Sequence, residues 1–114
     1  MTIVTPFLAT AVSAELEDWG PLAEATGEPM QTSGTTFWTA DDGQEAGVWA
    51  CTPGPSRWKL ETNEFVHILA GRMTVTPDDG DALDVGAGDT AVFPVGWTGT
   101  WQIHEPIRKL YVLF

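Results

Sequence analysis

The sequence predicts an all-β protein whose short antiparallel strands close into a sandwich or barrel-like double sheet. Three observations carry this. After Gln31-Thr32-Ser33-Gly34, turn formers recur at short, fairly even intervals: Asp42-Gly43, Pro53-Gly54-Pro55, Thr62-Asn63, Ala70-Gly71, Pro77-Asp78-Asp79-Gly80, Gly86-Ala87-Gly88-Asp89, Pro94-Val95-Gly96 and Glu105-Pro106. The segments between them are short and rich in aromatic and β-branched residues. No helical spacers interrupt them, which implies a sandwich or a barrel-like double sheet.

Taken in order, the chain starts with a stretch, Ser13 to Gly27, that allows one short helix over Leu22 to Thr26. Pro21 suits a first helical position and Gly27 a position just past a helix end. Strands are then expected at Thr35–Thr39, Gly47–Thr52, Arg57–Glu61, Glu64–Leu69, Arg72–Thr76, Ala82–Val85, Thr90–Phe93, Thr98–His104 and Ile107–Phe114, each but the last followed by one of the turns above. Residues 1–34 therefore read as an N-terminal extension, helical or irregular, packed on a barrel formed by residues 35–114. At 114 residues the chain has room for one hydrophobic core and not two.

The centre of the pattern is Trp58 to Gly71. Every second residue from Trp58 (Trp58, Leu60, Thr62, Glu64, Val66, Ile68) shares one face if the register continues through the corner at Thr62-Asn63. Glu64 is the one charged residue on that face. A carboxylate on an inward apolar face is costly unless it is paired or used, which makes Glu64 the first candidate functional residue.

Composition narrows the partners. Sixteen acidic against five basic residues give a formal charge of −11, which repels phosphate backbones and anionic lipid surfaces, so neither nucleic acid nor membrane is expected. A single cysteine, Cys51, excludes an intrachain disulfide framework and any multi-cysteine metal site. Met1 to Ala14 ends in Ala-Val-Ser-Ala but has no positive residue before its apolar part, so a signal peptide is not expected and the expected location is cytoplasmic. No run approaches the roughly 18 apolar residues of a membrane span.

Several of these residues resemble the two motifs of the cupin superfamily. Gly54, Glu64 and Gly71 keep the glycine–glutamate–glycine frame of the first motif, and Gly88, Pro94 and Gly96 fit the second. More narrowly, Gly47-Val-Trp-Ala-Cys-Thr-Pro-Gly54, Glu64-Phe-Val-His-Ile-Leu-Ala-Gly71, Phe93-Pro-Val-Gly-Trp-Thr-Gly-Thr-Trp101 and Arg108-Lys-Leu-Tyr111 resemble the small single-domain cupins grouped with the cupin part of ureidoglycine aminohydrolase. The resemblance covers about Phe37 to Phe114. It implies a jelly-roll barrel with an interior pocket, commonly paired into a dimer. It also implies metal ligands at four positions, which this chain fills with Trp58, Leu60, Glu64 and Gly99; Ile103 stands where the second motif has asparagine. A single carboxylate falls short of the three or more protein ligands of a catalytic transition metal, so no metal cofactor is expected.

The candidate pocket is then aromatic with one carboxylate. Trp58 and Trp101 share the inward parity, and Trp49 joins them as a candidate ligand-facing residue; Trp19 and Trp38 are expected to serve core packing. Leu60 completes the wall. Lys109 and Tyr111 alternate on the last strand; an inward face would let Lys109 neutralise Glu64 and Tyr111 supply a hydroxyl, whereas an outward Lys109 would be an ordinary solvated lysine. Such a pocket suits a small ring or an organic cation, through stacking, cation–π contact and charge pairing. His67 and His104 have the opposite parity and are expected to be structural, interfacial or exposed. Cys51 is expected to be a buried small hydrophobe. Phe65, His67 and Leu69 form the outward face of the Glu64 strand and need covering, which points to a symmetric homodimer. Function is left between three readings: a metal-free cupin binding a small organic molecule; an enzyme of aminohydrolase or isomerase type with Glu64 as acid/base; and a ligand-sensing or accessory module without catalysis.

Overall fold

A computed structural model describes residues 11–114. The first ten residues, and with them most of the leader-like stretch Met1 to Ala14, lie outside the described residues. Among those described no helix forms, and none is therefore long and apolar enough to cross a membrane. Eight strands form: β1 Glu17–Pro21, β2 Gln31–Thr39, β3 Glu45–Cys51, β4 Gly54–Lys59, β5 Glu64–Pro77, β6 Leu83–Gly86, β7 Thr90–Phe93 and β8 Thr98–Leu113. All pairings are antiparallel.

Two of the expected turns are not chain reversals. Ala70-Gly71 lies inside the 14-residue β5 and Glu105-Pro106 inside the 16-residue β8. The two breakers meet: Gly71 sits at φ +90, and a Cβ there would collide with the carbonyl oxygen of Pro106. Only glycine combines that left-handed backbone with so close an approach. The β5–β8 register shifts between Ile68 and Met73, so both long strands bend together at one corner. Each thereby serves two leaves of a jelly roll. The first leaf runs β1-β2-β3, then the second half of β8, the first half of β5, and β7; the second runs β4, the first half of β8, the second half of β5, and β6.

The core lies between the leaves. Val66 and Ile68 from the first half of β5 face Trp101 and Ile103 from the first half of β8, with Met73 and Ile107 beside them, all essentially without solvent exposure. The strict alternation of buried and less buried residues from Glu64 to Leu69 confirms the phase inferred for β5.

The N-terminal region departs from expectation. Leu22 to Thr26 is not a helix: the Leu22 N–H donates to Met30 O, the Thr26 N–H to Pro55 O, and the Arg57 N–H to Glu24 O, while Ala25 bridges Ser56. Five residues are too few to nucleate a helix alone, and β4 offers their backbone groups partners that a single helical turn cannot match. The sheet also starts before residue 35, since β2 begins at Gln31 and β1 pairs with it. Trp19 and Trp38, expected in the core, are each 39% exposed.

Candidate functional site

A cavity of about 370 Å³ opens at one end of the barrel between the leaves. Its walls contain every residue singled out from the sequence: Trp49, Trp58, Leu60, Glu64, Trp101, Lys109 and Tyr111. The register explains their convergence. Lys109 of β8 lies opposite Trp49 of β3 and Ile68 of β5, and Tyr111 lies opposite Val66, two residues from Glu64 on the same face. Trp58 of β4 lies opposite Gly99 of β8, and the absence of a side chain at Gly99 leaves room for the indole of Trp97 and the Thr76 carbonyl.

The deepest polar group is an ion pair. Lys109 Nζ donates to Glu64 Oε2 at 3.0 Å, with the two side chains 4% and 10% exposed. The same ammonium lies 4.6 Å from the centroids of both the Trp49 and the Trp101 rings, so two π faces and one carboxylate hold it. Trp101 is the hub of the aromatic wall: Trp58 lies at 4.4 Å, Phe93 at 5.3 Å and Trp49 edge-on at 6.5 Å. Trp58 Nε1 donates to Ser56 Oγ at 2.7 Å. Trp101 Nε1, by contrast, is buried and finds no acceptor among the described residues, a costly state for a donor.

Tyr111 donates its hydroxyl to Glu45 Oε2 at 2.6 Å. Burial, and then this bond to a carboxylate, push the phenol well above its ordinary range, so Tyr111 acts as a neutral donor and not as a base. Cys51 is 3% exposed and its thiol is pushed up to about 11 by burial, against the smaller opposing pull of Lys109; it is no nucleophile at neutral pH.

The rim holds residues the sequence reading missed. Glu45 and Glu24 carried no pattern that set them apart from other acidic residues of the surface. Trp19 reaches the cavity because it is the extra residue of a bulge in β1, between Asp18 and Gly20, and its six-membered ring packs against Gly34 of β2, where a Cβ would collide with it. With Lys59 and Glu61, four carboxylates and two ammonium groups line the cavity (Glu24, Glu45, Glu61, Glu64; Lys59, Lys109), a local excess of negative charge.

The histidines stand apart from this site. His67 is half-buried on the outward face of β5, and the exposed His104 meets Thr74 Oγ1 at 2.7 Å. Nor do the residues present fit the metal that the cupin resemblance implies: Trp58, Leu60 and Gly99 offer no ligand atom of the kind required, and the one carboxylate faces an ammonium. Among the described residues no group of three or more His, Cys, Asp or Glu side chains is arranged to hold a metal ion.

A family model described as the EutQ-like cupin domain matches residues 38–111. Solved structures similar in fold include a DUF861-family protein from Pseudomonas syringae pv. tomato, 21% identical with a TM-score of 0.82, covering 90% of this chain and 46% of that one. This chain thus spans less than half of that protein. The EutQ protein of Clostridium difficile is 14% identical with a TM-score of 0.73, covering 89% and 80% of the two chains. A DUF861-family protein from Thermotoga maritima is 37% identical with a TM-score of 0.57, covering 59% and 76%. No curated protein matches the chain in sequence.

Proposed function

The chain belongs to the EutQ-like cupin family, and from that premise we propose that its barrel binds a small organic molecule in the tryptophan-walled cavity, without a metal. The observation that carries the reading is the cavity itself: about 370 Å³, walled by Trp19, Trp49, Trp58 and Trp101, with the Glu64–Lys109 pair as its buried polar anchor. The remaining Lys109 donors favour a ligand with an acceptor atom, and the tryptophan walls favour one with a flat face. The acidic rim weighs against an anion, and because Lys109 already neutralises Glu64 the inner end of the cavity offers no free charge and suits an uncharged ligand.

Thermal-shift screening against uncharged cyclic and aromatic compounds tests this. A ligand at about 100 times its Kd stabilises by about 2.7 kcal/mol, or roughly 10 °C for a domain of this size. The shift should be lost in Trp58→Ala and weakened in Lys109→Met. A panel of such compounds that leaves the wild-type melting temperature unmoved at millimolar concentration sinks the reading.

A second reading, a metal-free enzyme with Glu64 as acid/base, is favoured by the 3.0 Å contact that lets Glu64 and Lys109 exchange a proton inside the cavity. The proposal extends to a symmetric homodimer in the cytoplasm. Half-buried Phe65, His67 and Leu69 lie outward, with the 60%-exposed Val92 paired beside Phe65. A monomer by light scattering at micromolar concentration removes that part.

A further inference from the structure

We infer that Lys109 is a carbonyl-trapping amine, and that the cavity takes a small uncharged aldehyde or ketone and holds it as an iminium on Nζ. The inference rests on the binding-pocket reading and adds to it the chemical class of the ligand and the bond that retains it.

The chain has two lysines, and they differ in kind. Lys59 is exposed at the rim, whereas Lys109 is 3% exposed and points its ammonium into the cavity. A buried ion pair contributes little net stability compared with an apolar pair of the same volume, so stability alone is a weak reason to place one beside an open cavity. Its surroundings suit a specific chemistry. Glu64, at 3.0 Å, is within reach of the proton that the ammonium must give up before its nitrogen can attack, and the apolar tryptophan walls shield the reacting groups from water.

The step balances without any redox partner. Glu64 takes one proton from Nζ, and the freed lone pair attacks the carbonyl carbon. The carbonyl π electrons move to oxygen, which takes that proton from Glu64 to give the carbinolamine. Glu64 then removes a second proton from Nζ and delivers it to the hydroxyl. Water leaves as the nitrogen lone pair forms the C=N bond. One ammonium and one carbonyl become one iminium and one water, and Glu64 ends as it began, a carboxylate.

The electrostatics of the site favour this product over other lysine adducts. The iminium keeps the positive charge on nitrogen, so the Glu64 pair and the two tryptophan contacts at 4.6 Å persist after the bond forms. An acylated lysine would be neutral and would leave Glu64 buried without a counter-charge. The acidic rim disfavours keto acids and leaves uncharged carbonyl compounds as the class the cavity admits.

The protein supplies its own control in Lys59. Wild-type protein is incubated with benzaldehyde or propanal and sodium cyanoborohydride, and the alkylated amines are located by peptide mass mapping. Lys109 should be labelled about tenfold or more faster than Lys59, and Glu64→Gln should slow labelling at Lys109 by about 10² or more while leaving Lys59 unchanged. Lys109→Arg, which keeps the charge, should leave only Lys59 and the terminal amine labelled. Labelling of Lys59 as fast as or faster than Lys109 in the wild type overturns the inference. Benzyl alcohol separates it from the pocket reading. If benzyl alcohol and benzaldehyde raise the melting temperature equally and Lys109 stays unlabelled, the pocket stands and the iminium falls. If neither compound shifts the melting temperature and Lys109 stays unlabelled, both fall.

Discussion

Replacing the Glu64–Lys109 pair measures how dry the inner end of the cavity is. Glu64→Leu leaves the Lys109 ammonium between two tryptophan rings without its carboxylate; Lys109→Met leaves the carboxylate, 10% exposed, without its ammonium. Breaking a buried pair from one side costs about 3–5 kcal/mol. At about 4 °C per kcal/mol, each single variant should melt roughly 12–20 °C below wild type. The double variant Glu64→Leu/Lys109→Met removes both charges and keeps similar volume, so it should recover to within about 1–2 kcal/mol of wild type. Urea denaturation followed by tryptophan fluorescence gives all four corners of the cycle, with stability taken from midpoint and slope. A coupling energy of at least about 2 kcal/mol is expected. Additivity within about 0.5 kcal/mol would refute the reasoning, because it would mean that water screens the pair as it screens a surface pair.

Three further outcomes are expected. Gly71→Ala combines a positive φ with a collision on the Pro106 carbonyl and should cost about 2–5 kcal/mol, whereas Gly43→Ala, at φ +86 with open space around it, should cost only about 1 kcal/mol by the same denaturation assay. Cys51 titrates near 11 in the folded protein against 9.0 for an ordinary thiol, a raised value, so the stability present below pH 9 should fall as pH rises through 9–11. Two pH units at about 1.36 kcal/mol each bound that loss at roughly 2–3 kcal/mol, and Cys51→Ala should flatten this part of the pH–stability curve. Trp19→Ala, at a position 39% exposed, should cost far less than the about 3–5 kcal/mol expected for the fully buried Trp101→Ala, yet should weaken ligand binding measured by thermal shift.

The parts of this molecule visible in its sequence are those set by strict alternation. The phase that put Glu64 inward put Val66 and Ile68 inward too, and the two-residue step from Lys109 to Tyr111 carried both to one face. Where alternation breaks, the sequence was silent or misleading. Trp19 reaches the cavity through a bulge, which shifts one residue without any composition signal. Gly71 and Pro106 are turn formers by type, but each is explained by the other, 35 positions away in the chain, and no local reading could pair them. Leu22 to Thr26 has the punctuation of a helix, yet its backbone groups are claimed by β4, a tertiary effect that overrides local preference. Glu45 as the partner of Tyr111 needed the β3–β8 register, which turn positions alone do not set.

The shared corner of β5 and β8 separates two kinds of motion. Each strand is a member of both leaves, so neither leaf can melt while the other keeps its hydrogen bonds; the barrel should open as one cooperative unit, with amides near Val66, Ile68, Trp101 and Ile103 exchanging at the global rate. β1 is held differently, as a five-residue edge strand paired with β2 alone. Its amides, and the Trp19 wall they carry, belong to the low-energy end of the exchange spectrum. The entrance can breathe on its own while the barrel behind it stays closed.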